Sequence, residues 1–202
     1  MAEGFDELKA PGARALNELT TGRQAYFLEV PGTASAAALS VVSFEAVERM
    51  GAPYVVTIQL THPLALSRAD YLGREATFLI APANGGEPRK FAGCITHFRQ
   101  TRQTRDFGGY ESVVGPLVAR LPLTRASRIY QQQTAPQIIE AILRRHDLKG
   151  HRFIFKTRHK CPRHAFRMRY QMPDWDNIRL LMAQEGLYCW PSPTATTLPR
   201  RP

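Results

Sequence analysis

Three potential metal ligands, His159, Cys161 and His164, fall within six residues of this chain. Thiolate and imidazole are the usual protein ligands of zinc, so this segment is the densest candidate for metal chemistry. Its spacing matches none of the common paired-knuckle patterns, and a fourth ligand would have to come from His151 or Cys189. Lys156, Arg158, Lys160, Arg163 and Arg167 crowd the segment with positive charge, which opposes a dication. It reads as a basic, exposed loop closed by Pro162. Those cations favour a lowered pKa at Cys161. His159 and His164 are only its local neighbours, however, and neither is placed as its base.

Asp174 and Asp176 are paired carboxylates, the residue type of general acid–base work. Two residues apart at a helix start, they are better explained as cap and dipole partners. The sequence holds no G-x-S-x-G elbow, no H-E-x-x-H and no G-x-x-x-x-G-K-S/T loop. Ser67, Ser112 and Ser127 have no contextual signal. Gly85-Gly86 and Gly108-Gly109 read as hairpin turns, since neither opens a helix after a strand as a phosphate cradle does. His62, His97 and His146 each stand alone, satisfied or solvent-facing. No residue is assigned a catalytic, cofactor-binding or metal-binding role, no cofactor is implied, and a non-enzyme is expected.

The elements that carry these residues follow from periodicity and capping. Thr134 is placed to cap a helix over 134–146, with Pro136 in its first turn and Ile138, Ile139, Ile142 and Leu143 as its apolar stripe. Arg144, Arg145 and His146 complement the dipole at its end, and Gly150 follows the stop. A second helix, 174–185, buries Ile178, Leu181 and Met182 and ends at Gly186. Leu187 to Trp190 then reads as a buried strand. Strands are expected at 26–30, 39–50, 54–60, 75–81 and 91–105, with a return from Tyr110 to Leu121, and two more at 151–157 and 164–171. Asn84-Gly85-Gly86 and Asp106-Phe107-Gly108-Gly109 mark hairpins, and Pro116 and Pro122 confine the return strand to an edge or bulge. Ser67 to Leu72 makes a short helical turn. Strands first and helices later argue for α+β: a barrel-like antiparallel part over 23–127, then a small α/β part over 128–190 with two short helices. Residues 1–22 read as a poorly ordered leader and 191–202 as a Pro/Arg-rich tail.

At 202 residues with 44% apolar and 22% charged side chains, the composition is that of an ordinary globular protein. No apolar run reaches the length of a membrane span, and the N-terminus lacks the basic-then-apolar pattern of a secretory signal. Three cysteines without a pairing pattern argue against a disulfide framework and for a reducing compartment. Cys94 and Cys189 lie in apolar runs and read as small buried hydrophobes. The net charge of +10 is uneven. Residues 89–169 hold 18 Lys or Arg against 4 Asp or Glu, a surplus of +14, and the rest of the chain carries −4. Such a basic middle attracts polyanions, so a nucleic-acid-binding module is the alternative reading. Its charges are dispersed along strands and helix ends, and the aromatics among them (Phe98, Phe107, Tyr110, Phe153, Phe155, Phe166, Tyr170) fall at strand spacing suited to a core. A charged face meeting an acidic partner subunit fits better.

The ordered segments "RIYQQQTAPQIIEAILRRH" and "FRMRYQMPDWDNIRLLMAQEGLYCW", with "LGREATFLI" and "FAGCITHF" upstream, resemble the N-terminal hub domain of the VgrG family. That family forms the spike of the type VI secretion machine and is related to the baseplate hub of contractile phage tails. The resemblance spans roughly Leu39 to Trp190. It implies barrel-like subdomains assembled as a trimeric ring, seated on a tail tube and joined to other spike or baseplate subunits, with effector or adaptor proteins as further partners. It also implies a protein present in the cytoplasm before assembly and injected by the contractile apparatus. Full members continue into the rest of the hub and a β-helical needle, whereas this sequence stops at Pro202, so a truncated or stand-alone hub is expected.

Overall fold

The computed structural model describes residues 25–82, 86–157 and 159–190. The expected leader, the expected tail and most of the Asn84-Gly85-Gly86 turn lie outside them.

Strands β1 (Tyr26–Glu29), β2 (Ser40–Val47), β3 (Val55–His62), β4 (Glu75–Ile80), β5 (Arg89–Gln103) and β6 (Gly108–Gly115) form one sheet in the order β1-β4-β5-β6-β3-β2. Every pairing is antiparallel. Period-two alternation builds it: Val56, Ile58, Leu60 and His62 of β3 point inward while their neighbours are exposed or half-buried. The sheet curls until its two end strands meet, with the rings of Tyr26 and Phe44 4.9 Å apart, so the barrel is nearly closed. Inside, Tyr71 stacks on Phe98 at 4.5 Å and Phe98 on Tyr110 at 5.5 Å. Tyr71 reaches this stack from a short helix, α1 (Arg68–Tyr71), whose first turn is capped by Ser67. Each such side chain removed from water contributes about 1.5–3 kcal/mol. Their hydroxyls are satisfied: Tyr110 accepts from the Leu66 N–H at 2.9 Å, and Tyr54 donates to the Ala92 carbonyl at 2.6 Å.

Two expectations for this region are corrected. Gly108 and Gly109 do not turn the hairpin; Thr104 and Phe107 do, through the Thr104 Oγ1 that accepts from the Phe107 N–H at 3.1 Å. Gly108 instead opens β6 beneath the Tyr110 ring, where a Cβ would lie 2.7 Å from the hydroxyl. The return strand also stops at Gly115 and does not reach Leu121. Pro116 has no N–H for the ladder, and Leu117–Leu123 winds into a 3₁₀ helix that contains Pro122. β6 itself is an inner strand between β5 and β3, with both prolines beyond it.

The second region is a two-stranded antiparallel ribbon, β7 (Arg125–Thr134) with β8 (Arg163–Pro173), backed by α2 (Ala135–Arg145) and α3 (Asp174–Gln184). α2 starts as expected: Thr134 and Gln137 form a complete capping box, with Pro136 in the first turn. Its end differs. Asp147, at φ 58°, turns the chain before Gly150, and the Leu148 N–H reaches the Leu143 carbonyl at 3.1 Å. α3 ends at left-handed Gly186, with the Leu187 N–H on the Met182 carbonyl at 2.8 Å. Ile138, Ile139, Ile142, Ile178 and Leu181 meet Leu121 of the 3₁₀ helix in a second core.

β7 has no counterpart among the expected strands, and it runs across the division at 127/128. The strand expected over 151–157 does not form. β8 takes β7 as its ladder partner, while Gly150–Arg152 is a 3₁₀ turn and Phe153 packs half-buried on the helical core. Leu187 to Trp190 is not a strand either. Tyr188 and Trp190 are exposed, and Cys189 is tied through its carbonyl to the Gly51 N–H at 2.8 Å.

Candidate functional site

The densest polar cluster forms around Asp174, which opens α3 without capping it; the cap position is Pro173. The Asp174 carboxylate has no solvent exposure. Arg145 donates to both its oxygens at 2.6 Å, Arg169 donates to Oδ1, and His146 Nε2 lies 2.5 Å from Oδ2. Arg145 and His146 end α2 and Arg169 belongs to β8, so one carboxylate ties three elements together. Arg169 is buried too, and its Nε also donates to the Met172 carbonyl at 3.0 Å. Burial alone would raise the Asp174 pKa. The hydrogen bonds from Arg145, His146 and Arg169 outweigh it and hold the carboxyl below its ordinary value. Asp174 was expected as a cap and His146 as a lone imidazole; both belong to this latch.

The other candidates are scattered. His164 Nε2 lies 3.0 Å from Glu185 Oε1, His159 is exposed, and the His151 side chain lies outside the described residues. Among the described residues no three His, Cys, Asp or Glu side chains converge as metal ligands. The Cys161 thiol is raised by partial desolvation and by Glu185, against the expected lowering by its cationic neighbours. Cys94 is buried, whereas Cys189 is only half-buried. Asp176 stays in the first turn of α3 beside the helix dipole. Ser67 caps α1, Ser127 accepts from the Gln171 N–H at 3.1 Å, and Ser112 is wholly buried. His62 accepts from the Leu64 N–H at 3.0 Å, and His97 is exposed on β5. Part of the basic middle is spent internally: Arg99 pairs with Glu111, Arg144 with Glu140, and Arg152 with Glu75.

The ribbon's outer face is the unusual surface. Its inner face packs on the helices, leaving Phe166, Met168 and Tyr170 of β8 outward at 55%, 65% and 70% exposure, beside Ile129 of β7 at 58%. Ile129 and Met168 are direct cross-strand partners. Phe107, Phe155, Phe166 and Tyr170 were expected in a core and are instead exposed; for Phe166 and Tyr170 the reason is that one layer of helices covers only one face of a two-stranded ribbon. Gln132 and Gln171, at φ 52° and 42°, bend its two ends.

A nearly closed antiparallel barrel followed by a helix-backed ribbon is the architecture of contractile-tail hub proteins. The E. coli c3393 protein superposes with a TM-score of 0.71 at 29% identity over 78% of this chain and 42% of that one. It is described as a component of the type VI secretion system with structural similarity to T4 bacteriophage tail proteins gp27 and gp5. The 43 kDa tail protein of prophage MuSo2 from Shewanella oneidensis shares the fold, at a TM-score of 0.57 and 14% identity over 81% of this chain and 50% of that one. Residues 47–198 match the phage tail baseplate hub (GPD) family, and the chain belongs to it.

Among curated relatives, the type VI secretion system spike protein VgrG1b of Pseudomonas aeruginosa is 25% identical over 85% of this chain and 23% of its own length. VgrG2a of the same organism is 31% identical over 54% of this chain and 13% of its own. The chain thus spans about a quarter or less of the curated relatives it matches. Among the described residues, no helix is long and apolar enough to cross a membrane.

Proposed function

We propose that this chain is a structural hub of a type VI secretion or contractile-tail spike. Copies of it join in a ring, a trimer by family analogy, and the ring seats the spike on its tube. Its work is mechanical, with no covalent step. The protein is present in the cytoplasm before assembly and leaves through the contractile apparatus, alongside spike, baseplate, effector or adaptor subunits.

The observation that carries this reading is the apolar row Ile129, Phe166, Met168 and Tyr170 on the outer face of a family hub fold. Contiguous exposed apolar side chains mark protein interfaces, and obligate interfaces bury thousands of Å² around such patches. Light scattering on the full chain over rising concentration tests it. A mass climbing above the 22.8 kDa of one chain is expected, and a constant monomer mass would refute it.

A further inference from the structure

Between α2 and β8 the chain runs through a loop in which residues 153–157 and 159–162 form neither helix nor strand. Both ends of the loop are fixed. Arg152 donates to Glu75 of the barrel at 3.0 Å, and Phe153 packs half-buried on the helical core. At the far end Arg163 opens β8 opposite Thr134. The Phe155 ring meets Phe153 edge-on at 5.6 Å, which holds it in place, yet it is 39% exposed and its neighbour Ile154 is 54% exposed. Two adjacent apolar side chains are thus presented to solvent by a segment anchored behind them. The charge around them has one sign. Residues 149–163 contain no Asp or Glu. Lys149, Lys156, Lys160 and Arg163 are all exposed, and none has an ion-pair partner among the described residues.

We propose that this loop docks on an anionic lipid surface, with its cations against lipid phosphates and Ile154 and Phe155 sunk into the boundary between headgroups and acyl chains. Cations and apolar side chains side by side are what such a boundary rewards: the charges are drawn to the anionic surface while the apolar groups leave water. Three of the four unpaired cations are lysines. Their ammonium groups are point charges on flexible stems, suited to phosphates in no fixed pattern, whereas planar, bidentate recognition of one fixed anion favours arginine. A single-stranded nucleic acid supplies the same phosphates and could stack a base on Phe155, but Ile154 has no π face to offer it. The exposed pair therefore favours lipid over nucleic acid.

Vesicle co-sedimentation of the full chain tests this at roughly 0.1 M salt. Phosphatidylcholine vesicles with about one-third phosphatidylglycerol should bind the parent, and phosphatidylcholine alone should not. Lys156→Ala with Lys160→Ala should weaken binding at least about tenfold. Ile154→Ser with Phe155→Ser should weaken it about tenfold, and Ile154→Ser alone, at the more exposed position, about threefold. A polyuridine oligonucleotide is the comparison, since it carries phosphates without an apolar phase. No binding to the anionic vesicles, equal binding to phosphatidylcholine alone, or a lysine variant that binds like the parent would overturn the proposal. So would apolar variants that bind vesicles like the parent, and a parent that prefers the oligonucleotide would make the loop a nucleic-acid site instead. The hub reading stands whichever way the vesicles answer.

Discussion

The barrel and the ribbon unit solve the burial problem in opposite ways. The barrel closes on itself: its aromatics stack inward, the Tyr54 and Tyr110 hydroxyls find backbone partners, and its two end strands meet at Tyr26 and Phe44. The ribbon unit has one covered face and one bare one. Three of its four elements, α2, β8 and α3, are tied by a buried carboxylate with Arg145, His146 and Arg169 around it. The contrast teaches that the barrel is the self-sufficient scaffold, whereas the ribbon is a surface held in position for something outside the chain.

The sharpest way to break this contrast is at Asp174. Asp174→Asn strips the charge from the latch and leaves Arg169 buried and unpaired, which should cost about 3–5 kcal/mol by urea denaturation. Phe98→Ala in the barrel should cost a similar 3–5 kcal/mol through its cavity, but without pH dependence. The latch, by contrast, is acid-sensitive. Its carboxyl lies below its unfolded value of 3.8, so its stabilisation is full above that pH and is lost as pH falls toward the folded value. Thermal melts from pH 6 to pH 2.5 should show the parent losing more stability than Asp174→Asn below about pH 4. Parallel melting curves would remove the ionic account of the ribbon unit.

A smaller effect is expected at Gln132, whose left-handed φ of 52° glycine adopts freely. Gln132→Gly should stabilise the ribbon by up to about 1 kcal/mol, read as a raised midpoint in urea.

The two regions were also unequally legible. Val56, Ile58 and Leu60 announce β3 by alternation, and the Thr134–Gln137 box announces α2, because both signals are local. The return strand, by contrast, was overextended, since Pro116 ends β6 at a ladder that only the fold reveals. β7 was missed, as its run of glutamines hides any alternation and its identity depends on β8 across the ribbon. The latch was missed for a related reason. Arg145 and Asp174 are 29 residues apart, and an aspartate at a helix start has a sufficient local explanation as a cap. The exposure of Phe166 and Tyr170 was equally hidden, because alternation shows that a strand has two faces but not how many are covered.

The central claim is that the ribbon's bare face joins copies of this chain. Sedimentation equilibrium of the full chain beside a Phe166→Glu, Met168→Glu double variant tests it most directly. Both side chains are exposed, so stability should change by less than about 0.5 kcal/mol. The account predicts a concentration-dependent mass above 22.8 kDa for the parent and a fixed mass near that value for the variant. Identical association by both proteins would contradict it.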